Sequence, residues 1–398
     1  MANQDEDDIP MLFGSTSRQS CTTWACHWPT LAEPREKLNG GEVKAHINAL
    51  YESGVPFFAK KAFQDVVDQL DSHPTAGDEI ITKDLTGASL KWKVRLGLSK
   101  ELCVRDDENN WNEQEFTFSQ CALTYNPKER LIRDLDHDKI DVPDWAYAPI
   151  SLIHSVDRPD KESETRKWIP TAPIGEREDV AHDFQEKSEA WEKSETCENF
   201  KSILRSVVSN HEIDNIIGFA CGSIALEANE QCAVQTALLL TVRNWLKERD
   251  QDKRIPCYLQ DPMNTDVDRE VLADWDVEIL DDPRGWLKVD ERSVVLSVAP
   301  NVPVKEIIAD IARPAIAIWF KVPDKDEYST DPSTSRVRTM MADYDIFEFE
   351  PTVDGLHGNV MIYIRKSAIP PIPNADGTFW PLKIEAGQEI TEGVPSEQ

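Results

Sequence analysis

Several features are missing from this 398-residue chain, and each absence removes a class of function. No apolar run approaches the roughly 20 residues that a membrane-spanning helix requires. The N-terminus, Met1-Ala-Asn-Gln-Asp-Glu-Asp-Asp, has neither the basic nor the apolar region of a secretory signal, and it is the reverse of an Arg-rich transit peptide. Positive charge is scarce: 43 Lys and Arg face 73 Asp and Glu, a net charge of −30. Such a chain is repelled by phosphate backbones and by anionic membrane surfaces, so neither nucleic acid nor membrane is expected as a partner. Eight cysteines are present, but no two form a Cys-x-x-Cys pair. Cys21 and Cys26-His27 resemble half a metal site with no second half at zinc-finger spacing, so no metal is expected. Several cysteines lie inside apolar runs, where they act as small hydrophobes, and that usage fits a reducing compartment. The expectation is a soluble intracellular protein of the cytoplasm, the nucleus or both.

What is present is globular. Hydrophobic residues make up 40% and charged residues 29%, and twelve Trp residues argue against a disordered chain. The length suggests two domains, or one domain with additions. Residues 1–40 are polar with Pro and Gly and read as a poorly ordered acidic segment. Residues 41–154 read as a mixed α+β extension. It holds a helix over 41–70, broken near Gly54-Val55-Pro56, and strands over Ser89–Leu96 and Phe116–Leu123. Residues 155–182 are charged and Pro-bearing and read as a linker, and 371–398 as a tail.

From Asp183 to about 370, helix and strand signals alternate, beginning with one long or two short helices on Phe184, Trp191, Phe200, Ile203, Leu204 and Val207. Apolar runs at Ile213–Cys221, Ile255–Leu259, Val277–Leu280, Ser293–Val298 and Ala315–Phe320 read as strands. Helices at Gln231–Glu248, Asp266–Trp275, Val304–Ile311 and Ser335–Met341 separate or follow them. Asp345–Phe349 and Asn359–Ile364 read as an antiparallel pair at one edge. This pattern predicts an α/β fold, a Rossmann-like doubly wound sheet that is mainly parallel, with its site beyond the strand C-termini.

Three strand ends carry candidate binding residues. The first turn holds Gly222 and Ser223, where a glycine lets a ligand approach the backbone and the following helix N-terminus attracts anions. No full Gly-x-Gly-x-x-Gly is present, and Gly222 has an alternative role in simply permitting the turn. Asp261 ends the second strand, where an acid can grip ribose hydroxyls; it can equally cap the turn before Pro262. Asn301, in Ala299-Pro-Asn-Val-Pro303, can hydrogen-bond a ligand, while the prolines can simply shape the turn. Glu227 and Glu230 read as supports for a helix N-terminus. No Ser-His-Asp arrangement or His cluster appears, so no catalytic residue is assigned.

The order of these motifs resembles the sensitivity-to-red-light-reduced (SRR-like) domain family. Ile216-Ile-Gly-Phe-Ala-Cys-Gly-Ser223 resembles its opening strand and Gly-x-Gly-Ser turn, Gln235-Thr-Ala-Leu-Leu-Leu240 its Gln-x-Ala-Leu-Leu helix, and Tyr258-Leu-Gln-Asp-Pro262 its strand ending in Asp-Pro. Glu270-Val-Leu-Ala-Asp-Trp-Asp-Val-Glu-Ile-Leu280 is similar to the helix-strand unit that follows, and Pro300-Asn-Val-Pro303 to a fungal form of its Pro-His-Cys turn. Ala220 and Asp276 replace glycines, and Asn301 replaces a His. The resemblance covers under half of the chain. It implies regulation rather than a defined reaction, since family members are linked to light and circadian signalling, haem metabolism and cytoskeletal phenotypes. Three functions remain open: a regulatory module binding a small molecule such as a nucleotide or an S-adenosylmethionine-like ligand, an S-adenosylmethionine-type transferase, and a scaffold that binds protein partners through its N-terminal half.

Overall fold

The computed structural model describes residues 11–13, 24–26, 29–33, 38–105, 111–133, 135, 142–159, 168–170, 174–207, 211–226, 230–325, 329–349 and 359–368. The tail expected over 371–398 lies outside the described residues, as does Glu227.

The alternating apolar runs build one seven-stranded sheet. We number its strands β1 (Asn215–Phe219), β2 (Cys257–Gln260), β3 (Val277–Ile279), β4 (Ser293–Leu296), β5 (Ile316–Phe320), β6 (Tyr344–Glu348) and β7 (Val360–Arg365). Their spatial order is β3-β2-β1-β4-β5-β7-β6. The first five run parallel, and β7 is antiparallel to both β5 and β6. Helices connect and flank the strands: α1 (Arg177–Glu192), α2 (Glu195–Val207), α3 (Glu230–Arg249), α4 (Asp266–Ala273), α5 (Arg284–Lys288), α6 (Val304–Ile311) and α7 (Ser335–Met341). The fold is Rossmann-like, as the alternation of signals predicts. Every residue of β4 and β7 is buried, as a strand covered on both faces requires.

The two faces are covered differently. Helices α1 to α4 cover one, with Ile216, Leu259 and Val294 beneath them. The other face, including Ile217 and Phe219 of β1, lies under α5, α6 and α7 together with the N-terminal half. Val43, Phe58, Phe63, Trp92, Tyr125 and Tyr147 belong to this same core. The N-terminal half brings helices Gly40–Glu52 and Lys60–Leu70, a six-stranded sheet dominated by Trp111–Tyr125 and Ile150–Pro159, and a three-stranded sheet.

Regular structure also occupies segments whose composition argues against it. Within 1–40, Met11–Phe13 pairs with Trp24–Cys26, which in turn pairs with Ile150–Pro159. Strand Ile150–Pro159 and helix α1 enter the charged stretch 155–182 from both sides. In α1 the buried stripe is Val180, Phe184, Ser188 and Trp191, so the helix starts before the apolar recurrence at Phe184 and Trp191 that marks it, inside the stretch read as a linker.

One buried ion pair fastens the N-terminal half to the sheet. Asp310 of α6 accepts the backbone N–H groups of Phe57 (2.7 Å) and Phe58 (3.0 Å) and the Arg336 guanidinium (2.9 Å). Arg336 of α7 donates in turn to the carbonyls of Tyr51 and Val55, at 2.5 and 2.9 Å. These four residues between 51 and 58 link the two N-terminal helices and depend on side chains more than 250 positions away. Removing one partner of a buried pair strands the other, at a cost of about 3–5 kcal/mol. Asp310→Ala should therefore lower the unfolding free energy by about that amount in denaturant titration. A loss below about 1 kcal/mol would show that the junction does not depend on this pair.

Candidate functional site

Strand order reverses between β1 and β4, and their C-terminal tips define the crevice where open α/β sheets bind ligands. The tips are level: Phe219 pairs with Gln260 of β2, and Gly218 with Leu296 of β4. A Cβ at Gly218 would come within 2.5 Å of the Leu259 side chain, which explains a glycine inside a strand.

The turn after β1 is left-handed at Ala220 (φ +52°) and Gly222 (φ +73°). The Gly222 N–H donates to Asp261 Oδ2 at 2.7 Å, and the Met263 N–H donates to Oδ1 at 2.8 Å. Two of the candidate residues therefore meet directly, at the tips of β1 and β2. Asp261 keeps some surface in solvent, yet its carboxyl is enclosed by protein. Burial raises it above the ordinary carboxylate range, against the pull of the two N–H groups.

Ser223 is fully buried. Its hydroxyl donates to Asp268 Oδ2 at 2.7 Å and accepts the N–H groups of Ala225 and Leu226. Asp268, in the first turn of α4, forms a capping box with Thr265. Its carboxylate also takes the N–H groups of Ile224 (2.7 Å) and Ala225 (3.0 Å). The backbone donors of this turn thus point at two carboxylates. In a phosphate-binding turn they would point at the ligand.

Asn301 sits on the loop after β4, exposed, and makes no hydrogen bond to the other three residues. It follows Ala299, which is left-handed at φ +53°. A separate groove between α1 and α3 is lined by Trp191, Ala237, Thr241 and Trp275, and by none of the four candidates.

A second acid joins the crevice that the sequence reading does not single out. Asp282, just past β3, accepts Gln260 Nε2 (2.8 Å), the Leu123 N–H (3.3 Å) and the Tyr125 hydroxyl. The Trp286 indole donates to that same hydroxyl at 3.0 Å and stacks on Phe219 with centroids 3.8 Å apart. Burial pushes Asp282 up to about 7, the charge of Asp261 adds to the rise, and the Tyr125 and Leu123 donors oppose it. Asp281-Asp282-Pro283 reads as a turn, and Tyr125 is 157 residues away, so no local signal marks the pair.

The sign of its effect on stability follows directly. Asp282 titrates higher in the fold than in an unfolded chain, so its contribution is complete below about pH 4 and is lost as pH rises toward about 7. Asp282→Asn should flatten unfolding free energy against pH across that window, by up to about 1.4 kcal/mol per pH unit. Parallel pH profiles for the two proteins would remove the argument.

Among the described residues, no three His, Cys, Asp or Glu side chains are grouped to hold a metal. No described helix is long and apolar enough to cross a membrane. Residues 198–341 match the model of the SRR1 domain. No curated protein sequence matches the chain. Among solved structures, magnesium protoporphyrin IX methyltransferase from Synechocystis PCC 6803 with bound SAH is similar at 8% identity and a TM-score of 0.26, covering 46% of this chain and 86% of that one. Phosphoethanolamine N-methyltransferase 2 of Haemonchus contortus, in complex with S-adenosyl-L-methionine, is similar at 8% identity and a TM-score of 0.24, covering 62% of this chain and 57% of that one. At those scores neither bears on chemistry here. The chain carries an SRR1 domain over residues 198–341, and that region belongs to the SRR1-like domain family.

Proposed function

We propose that the SRR1 domain is a regulatory module that binds a small molecule in the crevice beyond β1, β2 and β4, through Gly222, Asp261 and Asn301, with Ser223 holding the turn beneath them. The ligand is nucleoside-like and presents hydroxyls or positive charge rather than phosphate. The observation that carries this reading is Asp261 at the strand tip, bound to the Gly222 N–H. A phosphate there would find its donors taken and would face the Asp261 and Asp268 carboxylates. Two like charges 4 Å apart cost about 4 kcal/mol at an effective dielectric of 20. A ribose diol donates hydrogen bonds instead, and a carboxylate that already accepts two keeps lone pairs for two more.

Thermal-shift titration with adenosine, S-adenosylmethionine, ATP and NAD tests the choice. Adenosine or S-adenosylmethionine should stabilise the protein, ATP and NAD should not, and Asp261→Asn should weaken the response at least tenfold. Stabilisation by the phosphate-bearing ligands alone, or by none of the four, would overturn it.

Transfer from S-adenosylmethionine is a second reading, favoured by Asp282. A carboxyl held near neutrality can take up and release a proton at physiological pH, as acid–base catalysis requires. Transfer of labelled methyl groups to a cell extract by the wild type, lost in Asp282→Asn, would support it. Absence of any transfer removes the reading and leaves the binding module untouched.

A further inference from the structure

The first turn of α6 holds a carboxyl with no hydrogen-bond partner among the described residues. Glu306 is 0% exposed, and neither of its oxygens has a hydrogen-bond partner. The hydroxyls of Tyr51 and Thr334, each on a residue 1% exposed, also lack one. They lie near enough for Thr334 and Glu306 both to act on Tyr51. Tyr51 comes from helix Gly40–Glu52, Glu306 from α6, and Thr334 caps α7. Three polar groups from three elements thus converge, with Thr334 in hydroxyl contact with Tyr51 and the Glu306 carboxyl unmatched.

Glu129, Glu306 and Asp310 face Lys128 and Arg336. Arg336 is committed to Asp310 at 2.9 Å and lies over the Tyr51 ring at 3.9 Å. Lys128 stands 3.7 Å from Glu129 and 4.6 Å from the Tyr51 ring centroid. The side chains of Lys128 and Glu129 are 15% and 28% exposed, so the edge of the cluster on that side touches solvent.

We propose that Glu306, Tyr51 and Thr334 form a binding site for a primary ammonium group, distinct from the nucleoside crevice. An ammonium has three N–H donors, and the site supplies a carboxylate and two hydroxyl oxygens as three acceptors. A guanidinium carries five donors in a planar fork, too many for this set. Burial, with the neighbouring acids Glu129 and Asp310, raises Glu306 well above the ordinary carboxylate range and so favours its protonated form. Binding then exchanges charge: the ammonium enters, Glu306 ionises against it, and one proton leaves to solvent.

Calorimetric titration of the full chain at pH 7 with methylammonium, ethanolammonium and putrescine chlorides tests this, with tetramethylammonium chloride at equal ionic strength as the control. The primary ammonium probes should bind saturably and release about one proton each, read from the difference between buffers of different ionisation heat. Tetramethylammonium, which has no N–H, should not bind. Glu306→Gln should weaken binding at least tenfold and abolish the proton release, and Tyr51→Phe should weaken it several-fold should the first variant fail to fold. Asp261→Asn should leave it unchanged, which separates this site from the crevice. No saturable binding, binding without proton release, or equal binding of tetramethylammonium would overturn the proposal.

Discussion

Aspartates whose enclosed carboxylates accept backbone N–H groups fix four of the turns and loops on which this structure depends. Asp310 receives Phe57 and Phe58, Asp268 receives Ile224, Ala225 and Thr265, Asp261 receives Gly222 and Met263, and Asp282 receives Leu123. Loop N–H groups in a covered interior need acceptors, and an ionised oxygen is the strong one. A chain with a net charge of −30 has acids to spare for this role. The arrangement also constrains chemistry: a turn already satisfied by its own carboxylates is a poor receiver of anions.

The replaced glycines acquire a physical meaning in this light. Ala220 and Asp276, which stand where the family resemblance places glycine, keep the left-handed backbone at φ +52° and +54°. Each costs on the order of 1 kcal/mol relative to glycine. Surrounding bonds hold both in place, since the Ala220 N–H reaches the Gln260 carbonyl at 3.1 Å and the Asp276 N–H reaches that of Ala273 at 3.0 Å. The shape of the turn survives the substitution. What the alanine adds is a methyl group at the mouth of the crevice.

Much of the sheet is legible in the sequence because a strand buried on both faces is a short unbroken apolar run. Helices Val304–Ile311 and Ser335–Met341 keep the bounds their periodicity implies. The antiparallel pair at the edge also stands where its apolar runs lie. Only the start of helix α1, residues 177–182, is hidden, because it lies in the charged, Pro-bearing stretch 155–182, and strand Ile150–Pro159 is hidden because it runs into that same stretch from the other side. The site divides along the same line. Gly222 and Asp261 are readable because strand tips are readable. Asp282, Tyr125 and Glu306 are not, because each acquires its character from partners far away in sequence: Leu123 and Tyr125 for Asp282, Glu129 and Lys128 for Glu306.

Those distant partners share an origin. Leu123 and Tyr125 come from the N-terminal half and complete the environment of Asp282, while Tyr51, Phe57 and Phe58 come from it and complete those of Glu306 and Asp310. Both acid clusters therefore lie on the face of the sheet that this half covers. A Rossmann-like sheet with that face bare would expose Trp286, Val304 and Ile308 and leave its acids in water, with ordinary proton affinities. Covering the face removes the water, raises the acids and recruits the tyrosine hydroxyls beside them. The N-terminal half thus sets the proton affinity of Asp282 and Glu306, while Asp261 is raised by burial at its own strand tips.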